Sequence, residues 1–166
     1  MENFKLQFLQ SELNRVSDWI QFSDKKTAFL SAFYSAIFGL VFSQKESVLQ
    51  HFLTYQRWTA YFYFLILIGF VSFFIVGIFF LFKSIFPRLK NSLTDKSLFY
   101  FGHVANIKFV DYLEEIKKMT EDEAKKQIIE QIYTNSIIAD QKMKNVQKSI
   151  KSFIVAVFFA ILLILI

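Results

Sequence analysis

Three stretches of the chain carry no charge, and the polar segments around them place apolar residues at helical spacing. Residues 27–44, TAFLSAFYSAIFGLVFSQ, hold no charged side chain over 18 positions. As a helix this is roughly 27 Å, just enough to cross a bilayer core. Residues 58–82, WTAYFYFLILIGFVSFFIVGIFFLF, run uncharged for 25 positions, or roughly 37 Å. Trp58, Tyr61 and Tyr63 stand there where an interfacial aromatic belt is expected. The last stretch, 152–166, has only 15 residues, roughly 22 Å as a helix. To span, it needs Lys148 and Lys151 to snorkel or the bilayer to thin. The alternative, an amphipathic or buried helix lying against the other two, fits less well because this segment is apolar on all sides.

The polar segments predict helices as well. Phe4, Phe8, Leu9, Leu13, Val16 and Ile20 recur at helical spacing within residues 1–26, the pattern of an amphipathic helix that lies on a membrane or packs on a partner. Residues 108–119 predict one short helix, and Thr120 with Glu123 forms a capping box that opens a long one. Ile128, Ile132, Ala139, Met143, Val146 and Ile150 keep the spacing with no Gly or Pro between them, so this helix is expected to run into the third apolar segment as one rod of over forty residues. Gln131, Asn135, Ser136 and Lys142 interrupt its stripe. Buried polar groups need hydrogen-bond partners, so these residues either fix helix register or meet a ligand. The fold class is therefore an all-α membrane protein with three transmembrane helices and a helical region, residues 83–151, between the second and third.

Charge orients this arrangement. Of the 19 Lys and Arg residues, 4 precede the first span, 2 lie in residues 45–57, 13 lie in residues 83–151 and none follows. The positive-inside rule then places residues 1–26 and 83–151 in the cytoplasm, with the loop at 45–57 and the C-terminus outside it. The first 26 residues mix acids with bases and lack a cleavable-signal profile, so the first span is expected to act as an uncleaved anchor. Asp24, Lys25 and Lys26 sit at the point of membrane entry, where lysines anchor to headgroups.

Composition narrows the chemistry. The absence of cysteine excludes disulfides and thiolate sites, and two histidines far apart do not suggest a zinc site. Four Gly and one Pro leave no phosphate-cradling loop of the P-loop or dinucleotide type. The acids alternate with lysines as on a solvated helix face. No enzyme, metal or cofactor is expected. The stretch 97–106, SLFYFGHVAN, is either a plug packing Phe99, Tyr100 and Phe101 onto the rod or a stacking surface. His103 either caps the next helix or contacts a phosphate.

Three stretches together are distinctive: WIQFSDKKTAFLSAF, LFYFGHVANIKFVDYLEEIKKMTEDE and QIIEQIYTNSIIADQKMKNVQKSIKSF. In order and spacing they resemble the membrane-bound Pycsar effector family of bacterial antiphage defence, the PycTM type, over about residues 13–153. The residues that carry the likeness are Phe22, Asp24 and Lys25, then Phe99, Tyr100, Phe101, Gly102 and His103. The capped helix start follows, and last come Gln131, Ile132, Tyr133, Asn135, Ser136, Ile137 or Ile138, Ala139 and Lys142. Lys26, Thr27 and Met143 depart from the pattern, and Met143 replaces an aromatic that could have stacked.

The resemblance implies an effector of the bacterial inner membrane, functionally paired with a nucleotide cyclase. It would sense cUMP or cCMP and impair the membrane so that the infected cell dies or stops growing. It implies no nucleic-acid polymer as partner, and self-association in the bilayer is the simplest output. Small residues Ala28, Ser31, Ala32, Ser35, Ala36 and Gly39 on the first span would allow close helix approach. Candidate ligand contacts are Phe99, Tyr100 or Phe101 for stacking, and Gln131 and Asn135, with Ser136 beside them, for the pyrimidine edge. Lys25, Lys142 or His103 could meet the phosphate, with Asp24 at the same membrane entry. The competing readings are a structural or scaffold membrane protein that binds a cytoplasmic partner, and an effector answering a cyclic oligonucleotide.

Overall fold

The structure is a computed structural model that describes residues 2–44, 46, 50, 57–86 and 97–165. The expected loop at 45–57 and the turn formers at 91–95 lie, almost entirely, outside the described residues. Among the described residues the helices are, in order, α1 Glu2–Ser43, α2 Arg57–Ile85, α3 Phe101–Val104, α4 Phe109–Lys118 and α5 Glu121–Leu165. No strand occurs among the described residues. Three of the helices, α1, α2 and α5, are long and apolar enough to cross a membrane.

The sequence separates an amphipathic helix from the first span, whereas the backbone runs through both as α1, 42 residues long. No Gly or Pro lies between Trp19 and Leu30 to break it. The long rod forms as the periodicity predicts, with 45 residues in α5. At its start the Glu123 carboxylate accepts from the Thr120 backbone N–H at 2.8 Å and from the Thr120 hydroxyl at 2.9 Å. The Thr120 Oγ1 in turn accepts from the Glu123 N–H at 3.3 Å.

These bonds favour the charged form and hold the Glu123 carboxyl below its ordinary range, the backbone bond contributing most. The stabilisation is therefore complete above the ordinary glutamate pKa of about 4.3 and is lost as pH falls through the lower folded value. Acidification below about pH 4.3 should fray the first turn of α5. Amide chemical shifts of Glu123 and Ala124 should titrate in that window, and in Glu123→Gln they should stay flat.

Contacts group the chain into two units, Met1–Phe22 with Pro87–Gln141 and Ser23–Phe86 with Lys142–Ile166. The second unit is a three-helix bundle. Its core packs Tyr63, Ile66 and Phe70 of α2 on Ala156, Ala160 and Leu163 of α5, with Ile37 and Val41 of α1 against them. A second cluster joins Leu30, Tyr34 and Leu81, with Phe74, Ile78 and Phe153 around it.

Helices α2 and α5 run antiparallel in strict register. Ser84 donates to the Lys142 carbonyl at 3.4 Å, Ser149 to the Gly77 carbonyl at 2.8 Å, and Tyr63 to the Leu163 carbonyl at 3.2 Å. Ser84 to Tyr63 and Lys142 to Leu163 are both 21 residues, roughly 32 Å of helix. The packed length of α5 thus begins near Lys142, ten residues before its uncharged segment. The intervening lysines lie along the bundle surface, and the Lys148 ammonium sits 5.2 Å from the centre of the Phe80 ring.

Tyr63 points inward rather than into an aromatic belt, because its hydroxyl finds the Leu163 carbonyl. Trp58 and Tyr61 face outward. Ala28, Ser31, Ala32, Ser35, Ala36 and Gly39 are all exposed, so the small-residue face of α1 is not the face that packs within the chain.

Candidate functional site

In the first unit, the stretch 97–106 is anchored at its beginning. Ser97 and Leu98 are buried, and the Gln127 side-chain oxygen on α5 accepts from the Leu98 N–H at 2.9 Å and from the Ser97 hydroxyl at 3.3 Å. Gln127 does for this loop what a neighbouring strand or helix cap does elsewhere, satisfying backbone that would otherwise be buried and unpaired. With Leu98 as the anchor, Phe99 and Tyr100 each remain 44% exposed.

A tight turn follows: the Tyr100 ring lies over Gly102, so that a Cβ there would meet the ring at 2.6 Å. The Asn106 amide donates to the Gly102 carbonyl at 2.7 Å and closes the turn around α3. His103 is half-buried in α3, and its backbone N–H donates to the Tyr100 carbonyl at 3.0 Å. Phe101 begins α3, and its side chain lies outside the described residues.

Gln131 and Asn135 stand one and two helical turns beyond Gln127 on α5 and are half-buried. No hydrogen bond ties either side chain to another group among the described residues. Their donors and acceptors are therefore available, unlike the Ser136 hydroxyl, which donates back to the Ile132 carbonyl at 2.7 Å from an exposed position. This unit thus presents two aromatic faces and two uncommitted amides. A planar heterocycle with its own donors and acceptors is the kind of ligand such groups recognise.

The other sequence candidates belong to the bundle unit. Lys25 is exposed at the surface of α1. Lys142 is buried and forms an ion pair with Asp24. Beside the pair, the Thr27 and Ser84 hydroxyls are 3.0 Å apart, and the Thr27 hydroxyl donates to the Ser23 carbonyl at 2.9 Å. One helical stage further, the Tyr34 hydroxyl donates to the Ser149 carbonyl at 2.9 Å. Gly77 lies directly beneath it, so that a Cβ there would sit 1.7 Å from the Tyr34 oxygen.

Sequence reasoning missed Gln127, Thr27, Tyr34, Ser84 and Ser149. For Ser23, Thr27, Leu30, Tyr34, Ile37 and Val41 a signal existed: they repeat every three or four residues and mark the inward face of α1.

The fold defines a helical membrane protein of three apolar helices, with a polar helical unit in which Phe99, Tyr100, Gln131 and Asn135 are partly exposed. A family model, described as the Pycsar effector protein domain and termed PycTM, matches residues 8–166. The chain belongs to that family of membrane effectors. Membership makes it an inner-membrane component of antiphage defence that works with a cyclic-nucleotide signal. No curated protein and no solved structure matched the chain.

Proposed function

We propose that this protein is a receptor and effector rather than a catalyst: a cyclic pyrimidine monophosphate, cUMP or cCMP, activates it to impair the inner membrane and abort infection. The observation that carries this reading is the Gln127-pinned loop, which leaves Phe99 and Tyr100 half-exposed in the same unit as the uncommitted amides of Gln131 and Asn135. The pyrimidine stacks on an aromatic face, and an amide reads its edge. Of Lys25, Lys142 and His103, only His103 belongs to this unit, and in this reading it meets the single phosphate charge.

The distribution of lysines supports an orientation with residues 1–26 and 83–151 in the cytoplasm, where the messenger is made, and with the C-terminus outside it. Binding can alter the membrane only through different affinities for two states. Self-association is the simplest second state. The exposed small residues of α1 support it, and so does the neighbouring groove of about 450 Å³ lined by Ser31, Tyr34, Ser35, Phe38 and Phe74.

The test is titration of cUMP, cCMP and cyclic dinucleotides onto the detergent-purified protein by calorimetry, alongside membrane potential in cells that express it alone. Saturable binding of a pyrimidine monophosphate, weakened in Asn135→Ala and accompanied by depolarisation, is expected. Binding of cyclic dinucleotides alone, or none, would refute the reading.

A further inference from the structure

The Asp24–Lys142 pair is an unusual place to leave an ion pair. The Lys142 side chain is only 9% exposed, while Asp24 is 50% exposed. An ammonium has three N–H donors, yet Asp24 is the only acceptor of the Lys142 ammonium among the described residues. Next to Asp24 in sequence, the Ser23 hydroxyl is fully buried with no hydrogen-bond partner among the described residues. Ser84 and Thr27 complete a polar layer at this end of the bundle. Buried ion pairs contribute little net stability against apolar packing, so stability alone does not account for the layer.

From this geometry we infer that Lys142 and the Ser23 hydroxyl form a binding site for a phosphodiester monoanion, which the Asp24 carboxylate fills while the site is empty of ligand. The exchange conserves charge. One monoanion replaces another on a buried ammonium that is never left unpaired, which is the costly alternative. The displaced carboxylate is already half in water and gives up little on leaving. A phosphodiester brings two unesterified oxygens, so it can use an ammonium donor left idle by Asp24 and also the Ser23 hydroxyl. The exchange cuts the charged link between α1 and α5.

The layer lies at the start of the uncharged stretch of α1 and just after that of α2, where lipid headgroups are expected. Lipid headgroups such as phosphatidylglycerol and free cyclic nucleotides both supply a phosphodiester monoanion. The inference does not depend on the nucleotide reading above, because a lipid source would satisfy it.

The chain has no cysteine, so spin labels at the exposed positions Phe29→Cys and Gln147→Cys report the α1–α5 distance in maltoside micelles, which hold no phosphate, without interference. In these phosphate-free micelles, Asp24→Asn should lengthen and broaden the distance distribution without any ligand. The unaltered pair should show the same change when phosphatidylglycerol is included, identifying a lipid source, or when cUMP or cCMP is added, identifying a soluble one. Asp24→Lys with Lys142→Asp should restore the short distance and abolish the response to both. The site is refuted if Asp24→Asn keeps the short distance. It is also refuted if neither phosphodiester moves the labels, or if the charge-reversed protein responds as the original does. Should Asp24→Asn fail to insert, the charge-reversed protein decides.

Discussion

Gly77→Ala should lower the thermal midpoint of the detergent-purified protein by about 10 °C. The added methyl would lie 1.7 Å from the Tyr34 oxygen and 2.7 Å from its ring, so the ring must move. Overpacking of this kind costs about 1–3 kcal/mol. Movement also withdraws the hydroxyl from the Ser149 carbonyl, 2.9 Å away, and hydrogen bonds between membrane helices are worth about 0.6 kcal/mol on average and up to about 1.7. The total of about 2–4 kcal/mol corresponds to roughly 2–4 °C for each kcal/mol in a chain of this size.

Two comparisons isolate the cause. Gly39→Ala, at a glycine with nothing within 4 Å, should leave the midpoint unchanged or raise it through helix propensity. Tyr34→Phe should cost about 1 kcal/mol alone, and in the Gly77→Ala background it should cost less than that, because the bond it removes is already broken. Strictly additive effects would show that the two residues do not share this contact.

Phe99→Ala or Tyr100→Ala, whichever removes the ring on which the base stacks, should weaken cyclic-nucleotide binding by about 5- to 150-fold, the span of the 1–3 kcal/mol that a base gains on an aromatic face. One of the two should dominate, since a single pyrimidine stacks directly on one ring. Tyr100 has a second role, because its ring also lies over Gly102. Tyr100→Phe, which keeps that packing, separates loop shape from the hydroxyl. Gln127→Ala should act without touching ligand: it removes the acceptor for the Leu98 N–H and the Ser97 hydroxyl. Affinity should fall while helix content stays constant, and the Leu98 amide should lose protection from hydrogen exchange. Unchanged affinity in Phe99→Ala, Tyr100→Ala and Gln127→Ala by calorimetry would remove the base from this loop.

The loop also shows where sequence reading stops. Its aromatics are conspicuous in SLFYFGHVAN, and the pattern left open whether they plug or stack. What anchors the loop is Leu98 and Gln127, one an ordinary apolar residue and the other an ordinary glutamine on a polar helix. Neither type is unusual in its context, so composition could not single them out.

What the sequence by itself determined is local. Charge-free length identified the apolar helices, uninterrupted spacing identified the single long α5, and Thr120 with Glu123 marked where it begins. Those features arise from interactions within a few residues, which spacing encodes directly. The tertiary structure alone decided which hydroxyls face inward and which residues meet. Thr27, Ser31 and Ser35 all bond back to their own helix, yet only Thr27 turns toward Ser84. Asp24 and Lys142 stand 118 residues apart, and their pairing depends on how each helix is rotated about its axis and how far it is shifted along its neighbours. Both quantities are set by packing of the whole bundle, by contacts such as Tyr34 over Gly77 and Tyr63 on Leu163, and no short window of sequence contains them.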